Sequence, residues 1–179
     1  LEALAGMFAD PNAVPETDRL DLLFALTGCR RMYYDHSAWQ HVARNLLTVA
    51  RNEREHGSTR VQTVKCLVEL LTGLASDIVY QDPGYREHFR RREKGAAILA
   101  ALQTGAMSFS AGGQRSLEPL GGTLRETILV LRNWEEDSSG DSPRRFAAEQ
   151  IKHVDSLCED TALGVLRDMA PATQVVEPP

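Results

Sequence analysis

Apolar residues recur at helical spacing along most of this 179-residue chain. The longest stripe lies between residues 61 and 78, where steps of three and four positions place one continuous apolar face on a helix. The stripe consists of Val61, Val64, Leu67, Val68, Leu71, Leu74, Ala75 and Ile78. The period-two alternation that is typical of half-buried strands does not occur in the sequence. The pattern therefore predicts an all-α fold.

Six or seven helices are expected, and proline, glycine and capping residues set their limits. They are predicted at residues 1–9, 17–28, 37–56, 58–81, 85–103, 123–134 and 142–169. The glycine-rich residues 105–122 are predicted to form a mobile loop, and the acidic, serine-rich residues 135–143 a second loop. Residues 1–170 are thus expected to form one helical domain, with an extended tail over residues 171–179.

A short pattern of four residues recurs in two of the predicted helices. Leu22, Leu26, Thr27 and Gly28 recur, about 45 residues later, as Leu67, Leu71, Thr72 and Gly73. In this spacing the chain resembles the armadillo and HEAT-type helical repeats. The resemblance implies helix pairs that stack into a short solenoid across residues 17–170, with a protein-binding surface. An irregular helical bundle is the alternative, because leucine-rich helices that end in glycine resemble one another without being repeats.

Charge is unevenly distributed along the chain, whose net charge is −5. Basic residues concentrate in residues 28–65 and 86–94, whereas acidic residues dominate residues 1–27 and 118–179. This alternation indicates a polarised surface rather than a chain that binds nucleic acid over its whole surface. The expected partner is another protein or a peptide segment, with an acidic segment as one possibility. Nucleic acid is the less favoured partner.

Arginines on the predicted helix 37–56 form a first candidate binding surface. Arg44 and Arg51 are seven residues apart, so they lie on one face of a helix, and Arg54 extends the same region. A solvated helix face, balanced by neighbouring glutamates, is the alternative interpretation.

A second candidate surface is the basic run of residues 85–94. Arg86, Arg90 and Arg91 alternate there with aromatic residues, a pattern found in segments that bind RNA or acidic peptides. Tyr85 and Phe89 share a helix face, so core packing is the alternative for these two rings.

Trp134 is a further candidate contact residue, because it ends a predicted helix beside the acidic loop. Core packing is an equally good interpretation of this side chain. The predicted binding residues are therefore the six arginines named above and Trp134.

Arg51 and His56 also fit an R-x4-H pattern, which resembles the active motif of the all-α HEPN-fold ribonucleases. The resemblance implies that Arg51 binds a phosphate and that His56 acts as acid or base. Arg31 and His36 fit the same pattern, and such a short motif recurs by chance. His56 is moreover expected at a helix C-terminus, where the helix dipole alone favours a cation. An RNA-binding or RNA-cleaving domain is therefore the alternative function.

The main expectation is a non-enzymatic protein–protein interaction module that forms part of a larger protein. Apart from the R-x4-H pattern, no catalytic or cofactor motif and no metal-ligand spacing occurs in the sequence, and no apolar run of about 18 residues could span a membrane. The chain begins with Leu1 and lacks a basic region typical of signal peptides. Its three widely spaced cysteines favour a reducing compartment, cytoplasmic or nuclear, where thiols stay free.

Overall fold

The computed structural model describes residues 2–10, 12–15, 18–19, 21–23, 25, 38–83, 85, 97, 100–101, 104–106, 108–136, 141–160 and 163–168. Within these residues the protein is all-α and compact, as predicted, and contains no strand. The helices are α1 (Glu2–Ala9), α2 (Ala38–Arg51), α3 (Gly57–Gln81), α4 (Ala111–Glu136), α5 (Asp141–Asp160) and α6 (Leu163–Asp168). Described residues between 18 and 25 are helical as well.

The 25-residue helix α3 is the centre of the fold, since it packs against α2, α4, α5 and α6. A helix with neighbours on several sides buries more than one narrow stripe. Eleven of its residues are buried: Thr59, Thr63, Val64, Cys66, Leu67, Val68, Leu70, Leu71, Leu74, Ala75 and Val79. The predicted stripe is confirmed, although its end members Val61 and Ile78 are only partly buried.

In the sequence of α2, six apolar residues recur at steps of one, three and four positions, which places them on one helix face. All six are buried: Trp39, Val42, Ala43, Leu46, Leu47 and Ala50. Helix α2 ends at Arg51, however, and not at residue 56. The Asn52 side chain accepts a hydrogen bond from the Arg54 backbone N–H at 3.1 Å, which stabilises a turn after the helix.

The next helix was predicted to begin at residue 58, and α3 begins at Gly57. His56 is the N-cap of α3, with an extended backbone, and its Nδ1 accepts a hydrogen bond from the Ser58 backbone N–H at 3.3 Å. His56 therefore lies at the start of α3, and the predicted position at a helix C-terminus was wrong. A cation gains nothing from the helix dipole at this end.

The predicted glycine-rich loop 105–122 is largely helical, because α4 begins at Ala111 and includes Pro119. Glycine costs a helix about 1 kcal/mol and proline about 3 kcal/mol. Against this, Leu117, Leu120 and Leu124 are fully buried, and each contributes about 1.5–3 kcal/mol. Tertiary burial thus outweighs helix propensity, and among the described residues only those before Ala111 remain outside the helix.

The start of α4 is fixed by the end of α3. Asp82 is buried and caps α3 through its backbone N–H. Its Oδ2 accepts hydrogen bonds from the Ser110 backbone N–H at 3.0 Å and from Ser110 Oγ at 2.6 Å. Ser110 Oγ in turn accepts a hydrogen bond from the Gly113 N–H at 3.1 Å, which makes Ser110 an N-cap. One carboxylate therefore joins two helix ends.

The predicted last helix, residues 142–169, is two helices. Helix α5 ends at Asp160 and α6 begins at Leu163, and a Cβ on Gly164 would collide with the Cys158 carbonyl. Glycine therefore permits the close return that lets Val165 and Leu166 enter the core.

Several predicted segments change their limits or cannot be compared with the structure. Of the predicted acidic loop 135–143, the first two residues belong to α4 and the last three to α5. Residues 137–140 and the predicted tail 171–179 lie outside the described residues. Gly73, the last residue of the recurring four-residue pattern, lies inside α3 and does not end a helix.

A buried ion pair connects the N-terminal part of the chain to the turn before α3. Arg19 is 3% exposed, and its Nη1 lies 2.6 Å from Glu55 Oε2. Its Nη2 donates a hydrogen bond to the Phe8 carbonyl at 2.6 Å, and its guanidinium lies over the Phe8 ring. The pair thereby attaches α1 to the rest of the fold.

We expect Glu55→Gln to lower the free energy of unfolding by about 3–5 kcal/mol, because it leaves the buried Arg19 charge without its carboxylate. Glu126→Gln is the control, since Glu126 pairs with Arg51 on the surface and both side chains are about half exposed. That variant should lose less than about 1 kcal/mol. Urea denaturation of both variants measures the difference, and equal losses would show that burial of the first pair is energetically irrelevant.

We expect adjacent glycines of α4 to respond in opposite ways to alanine. A Cβ on Gly121 would lie 2.9 Å from the Leu166 carbonyl oxygen, whereas a Cβ on Gly122 meets nothing within 4 Å. Gly121→Ala should therefore destabilise the protein by about 1–3 kcal/mol. Gly122→Ala should stabilise it by up to about 1 kcal/mol, through helix propensity. Thermal unfolding distinguishes the two, and a shift in the same direction for both would contradict the close packing of α4 on α6.

Candidate functional site

A pocket of about 390 Å³ opens where α4, α5 and α6 meet. Four apolar and four charged residues line it. The apolar ones are Ile128, Leu129, Ile151 and Val154, and the charged ones are Arg125, Arg132, Asp155 and Arg167. We call it the arginine-lined pocket.

Helix α4 contributes Arg125 and Arg132 to the pocket, with Ile128 and Leu129 between them. Steps of three and four residues place these side chains on one face of the helix. The two arginines are two helical turns apart, which separates their Cα atoms by about 10 Å along the axis. They therefore flank an apolar segment on that face.

Helices α5 and α6 complete the pocket. Ile151, Val154 and Asp155 lie on one face of α5 by the same spacing, and Arg167 stands in the last turn of α6. A cation in a last turn is favoured by the helix dipole. Arg167 reaches this position only because α6 returns toward α5, which the sequence prediction of a single last helix did not include.

The charges in the pocket are predominantly positive. Among its described residues, the three positive charges of Arg125, Arg132 and Arg167 stand against the one carboxylate of Asp155. Leu129, at the same site, is 54% exposed and is one of the most exposed large apolar residues in the described chain. An exposed apolar side chain beside cations indicates a surface that can bind an anionic, partly apolar ligand.

The sequence analysis did not identify Arg125, Arg132 or Arg167. A signal was present for the first two, since they repeat the seven-residue spacing that singled out Arg44 and Arg51. The pairing of these residues with Arg167 had no sequence signal, because it depends on where α6 turns.

Of the first candidate surface, Arg44 and Arg51 lie on α2 and Arg54 lies in the turn after it, and all three are exposed. Arg51 Nη2 lies 2.9 Å from Glu126 Oε2 on α4, so the charge of this arginine is already paired. Arg86, Arg90 and Arg91 lie outside the described residues, together with the rest of residues 86–94.

Trp134 is a core residue, so the prediction of an exposed contact was wrong for this side chain. It is 4% exposed and packs against Phe146, with ring centroids 6.5 Å apart. The Arg60 guanidinium lies 5.1 Å from the centre of the indole, and Arg60 Nε donates a hydrogen bond to the Ala50 carbonyl at 3.0 Å. Trp134 thus helps to join α2, α3, α4 and α5. Tyr85 is buried as well.

The residues of the R-x4-H pattern take part in contacts that hold helices. His56 caps α3, its Nδ1 lies 2.7 Å from Ser58 Oγ, and Arg51 forms the ion pair with Glu126. These contacts give both side chains a structural role.

A second groove, of about 570 Å³, runs between α3 and α5. It is lined by Lys65, Val68, Glu69, Thr72, Gly73, Ser76, Asp77, Gln150, His153 and Leu157. Its charged side chains have both signs, so the groove selects a ligand by charge less clearly than the arginine-lined pocket does. Neither site includes three residues able to hold a metal ion together, and no such group occurs among the described residues.

Comparison of the chain with family models, curated proteins and solved structures finds no significant match in any of the three. None of the described helices combines the length and apolarity needed to cross a membrane. The functional interpretation therefore rests on the geometry of the sites.

Leu129 should contribute little to folding, because more than half of its surface is exposed. We expect Leu129→Ala to lower the free energy of unfolding by less than about 1 kcal/mol. Leu131→Ala, two positions away and fully buried, should cost about 2–5 kcal/mol. Urea denaturation measures both. A large loss from Leu129→Ala would mean that this leucine is a packing residue and not an exposed binding residue.

Proposed function

We propose that this protein is a non-enzymatic interaction module that binds an acidic segment of a partner protein in the arginine-lined pocket. The observation that carries the proposal is the combination, among the described lining residues, of apolar side chains with three arginines and one carboxylate. We call the apolar side chains, Ile128, Leu129, Ile151 and Val154, the apolar floor. Carboxylates of the partner pair with the guanidinium groups, and an aliphatic side chain between them covers Leu129.

The apolar floor favours a protein segment over RNA. Phosphates would pair with the arginines but leave the isoleucine, leucine and valine side chains of the floor in contact with water. None of the described residues that line the pocket is aromatic, so these residues offer bases no stacking surface. Binding of RNA, supported by the exposed arginines of α2, is the alternative function that the experiment must distinguish.

We infer a reducing, cytoplasmic or nuclear compartment for the module, which is supported by the two described cysteines, because Cys66 and Cys158 are buried and form no disulfide with each other. We further propose that the module belongs to a larger protein, as a scaffold of the armadillo or HEAT type. The all-helical packing around α3 supports this fold type only in its general architecture.

We expect a short fluorescent peptide, in which leucine is flanked by glutamates, to bind the protein in a polarisation assay. Arg132→Glu should weaken its affinity at least about tenfold, because the pocket then repels the ligand carboxylates. Arg44→Glu makes the same charge change on exposed α2, outside the pocket, and should leave the affinity within about twofold. A peptide with alanine in place of leucine should bind more weakly, since the floor stays uncovered.

Two results would contradict the proposal. Equal losses in Arg44→Glu and Arg132→Glu would mean that the whole surface, and not the pocket, attracts the peptide. Tighter binding of a labelled RNA oligonucleotide, lost in Arg44→Glu but retained in Arg132→Glu, would favour the RNA-binding alternative.

A further inference from the structure

Among the described residues that line the arginine-lined pocket, Asp155 is the one acidic residue. Its Oδ1 lies 3.7 Å from Arg167 Nη1. A charge-assisted hydrogen bond between these groups is normally about 2.7–2.9 Å long, so the pair is loose. The surface pair of Arg51 and Glu126 is closer, at 2.9 Å.

Both members of the pair are accessible to solvent. The Arg167 side chain is 42% exposed and the Asp155 side chain is 61% exposed. An exposed carboxylate regains water when it leaves its partner, so separating such a pair costs little. The Asp155 side chain can therefore leave Arg167 without disturbing the buried residues of α5.

We propose that Asp155 is a built-in competitor for the ligand of this pocket. This inference rests on the proposed function. In the free protein Asp155 partly neutralises Arg167, and on binding a carboxylate of the acidic segment takes the place of Asp155. A planar guanidinium binds one carboxylate through two parallel hydrogen bonds, so the ligand and Asp155 compete for the same donors. Asp155 thereby sets how acidic a segment must be to bind.

The first test is Asp155→Asn, which removes the charge and keeps the shape of the side chain. We expect it to raise the affinity for the glutamate-flanked leucine peptide by about twofold to fivefold, the range typical of an exposed ion pair. Asp21→Asn is the matched control, because Asp21 is exposed and lines neither the pocket nor the second groove. It makes the same change in net charge and should leave the affinity unaltered.

The second test asks whether Asp155 acts through Arg167. In an Arg167→Gln background, Asp155→Asn should give no further gain, because the contested donor is gone. The same gain with and without Arg167 would mean that Asp155 acts only through the general field, and this would overturn the inference. Thermal unfolding of each variant verifies that the fold is intact.

Failure of this inference differs from failure of the proposed function. If the wild-type protein binds the peptide and Asp155→Asn binds it equally well, the competitor role is wrong and the pocket assignment stands. If neither protein binds it, the proposed function is wrong and the inference fails with it. If the Asp155→Asn variant binds the peptide and the wild-type protein does not, Asp155 excludes this ligand from the pocket, and the competitor role is supported.

Discussion

The packing of α3 on four neighbouring helices is the constraint on which the rest of the structure depends. Each of α2, α4, α5 and α6 takes its position from contact with this helix. Arg60, in its first turn, donates a hydrogen bond to the carbonyl of Ala50 and lies over the ring of Trp134. Asp82, directly after its last residue, accepts hydrogen bonds from Ser110, the N-cap of α4. The beginning of α3 therefore contacts α2 and the last turn of α4, and its end contacts the N-cap of α4. The middle of α3 lies in the core.

The arginine-lined pocket is a consequence of two close backbone contacts in the second half of the chain. Gly164 lets α6 return against the carbonyl of Cys158, and Gly121 lets α4 approach the carbonyl of Leu166. Because neither Gly164 nor Gly121 has a side chain, α6 can lie close to both α4 and α5. Arg167, in the last turn of α6, then lines the same pocket as Arg125 and Arg132 of α4. The electrostatics of the surface thus depend on glycines whose own chemistry is neutral.

Sequence periodicity was sufficient to predict the all-α class and the core faces of α2 and α3, because burial on one side leaves a regular pattern. It failed where tertiary contacts override local preference. Residues 111–122 contain glycines and Pro119, and only the burial of Leu117 and Leu120 explains why they are helical. The pocket could not be predicted, since its residues come from three helices whose approach has no local signal. For the same reason, the sequence could not show whether the Trp134 side chain is exposed or buried.

The contact between Asp82 and Ser110 has a consequence for the chain between them. Asp82 and Ser110 are 28 residues apart in the sequence, so their hydrogen bonds hold the two ends of residues 83–109 together. The entropic cost of closing such a loop changes slowly with its length. Some described residues of this segment belong to the core, since Tyr85 is buried and Ala101 and Phe109 pack against the buried cluster. A change in the length of the segment therefore costs little in loop closure, and its cost in stability depends on whether it displaces these three side chains.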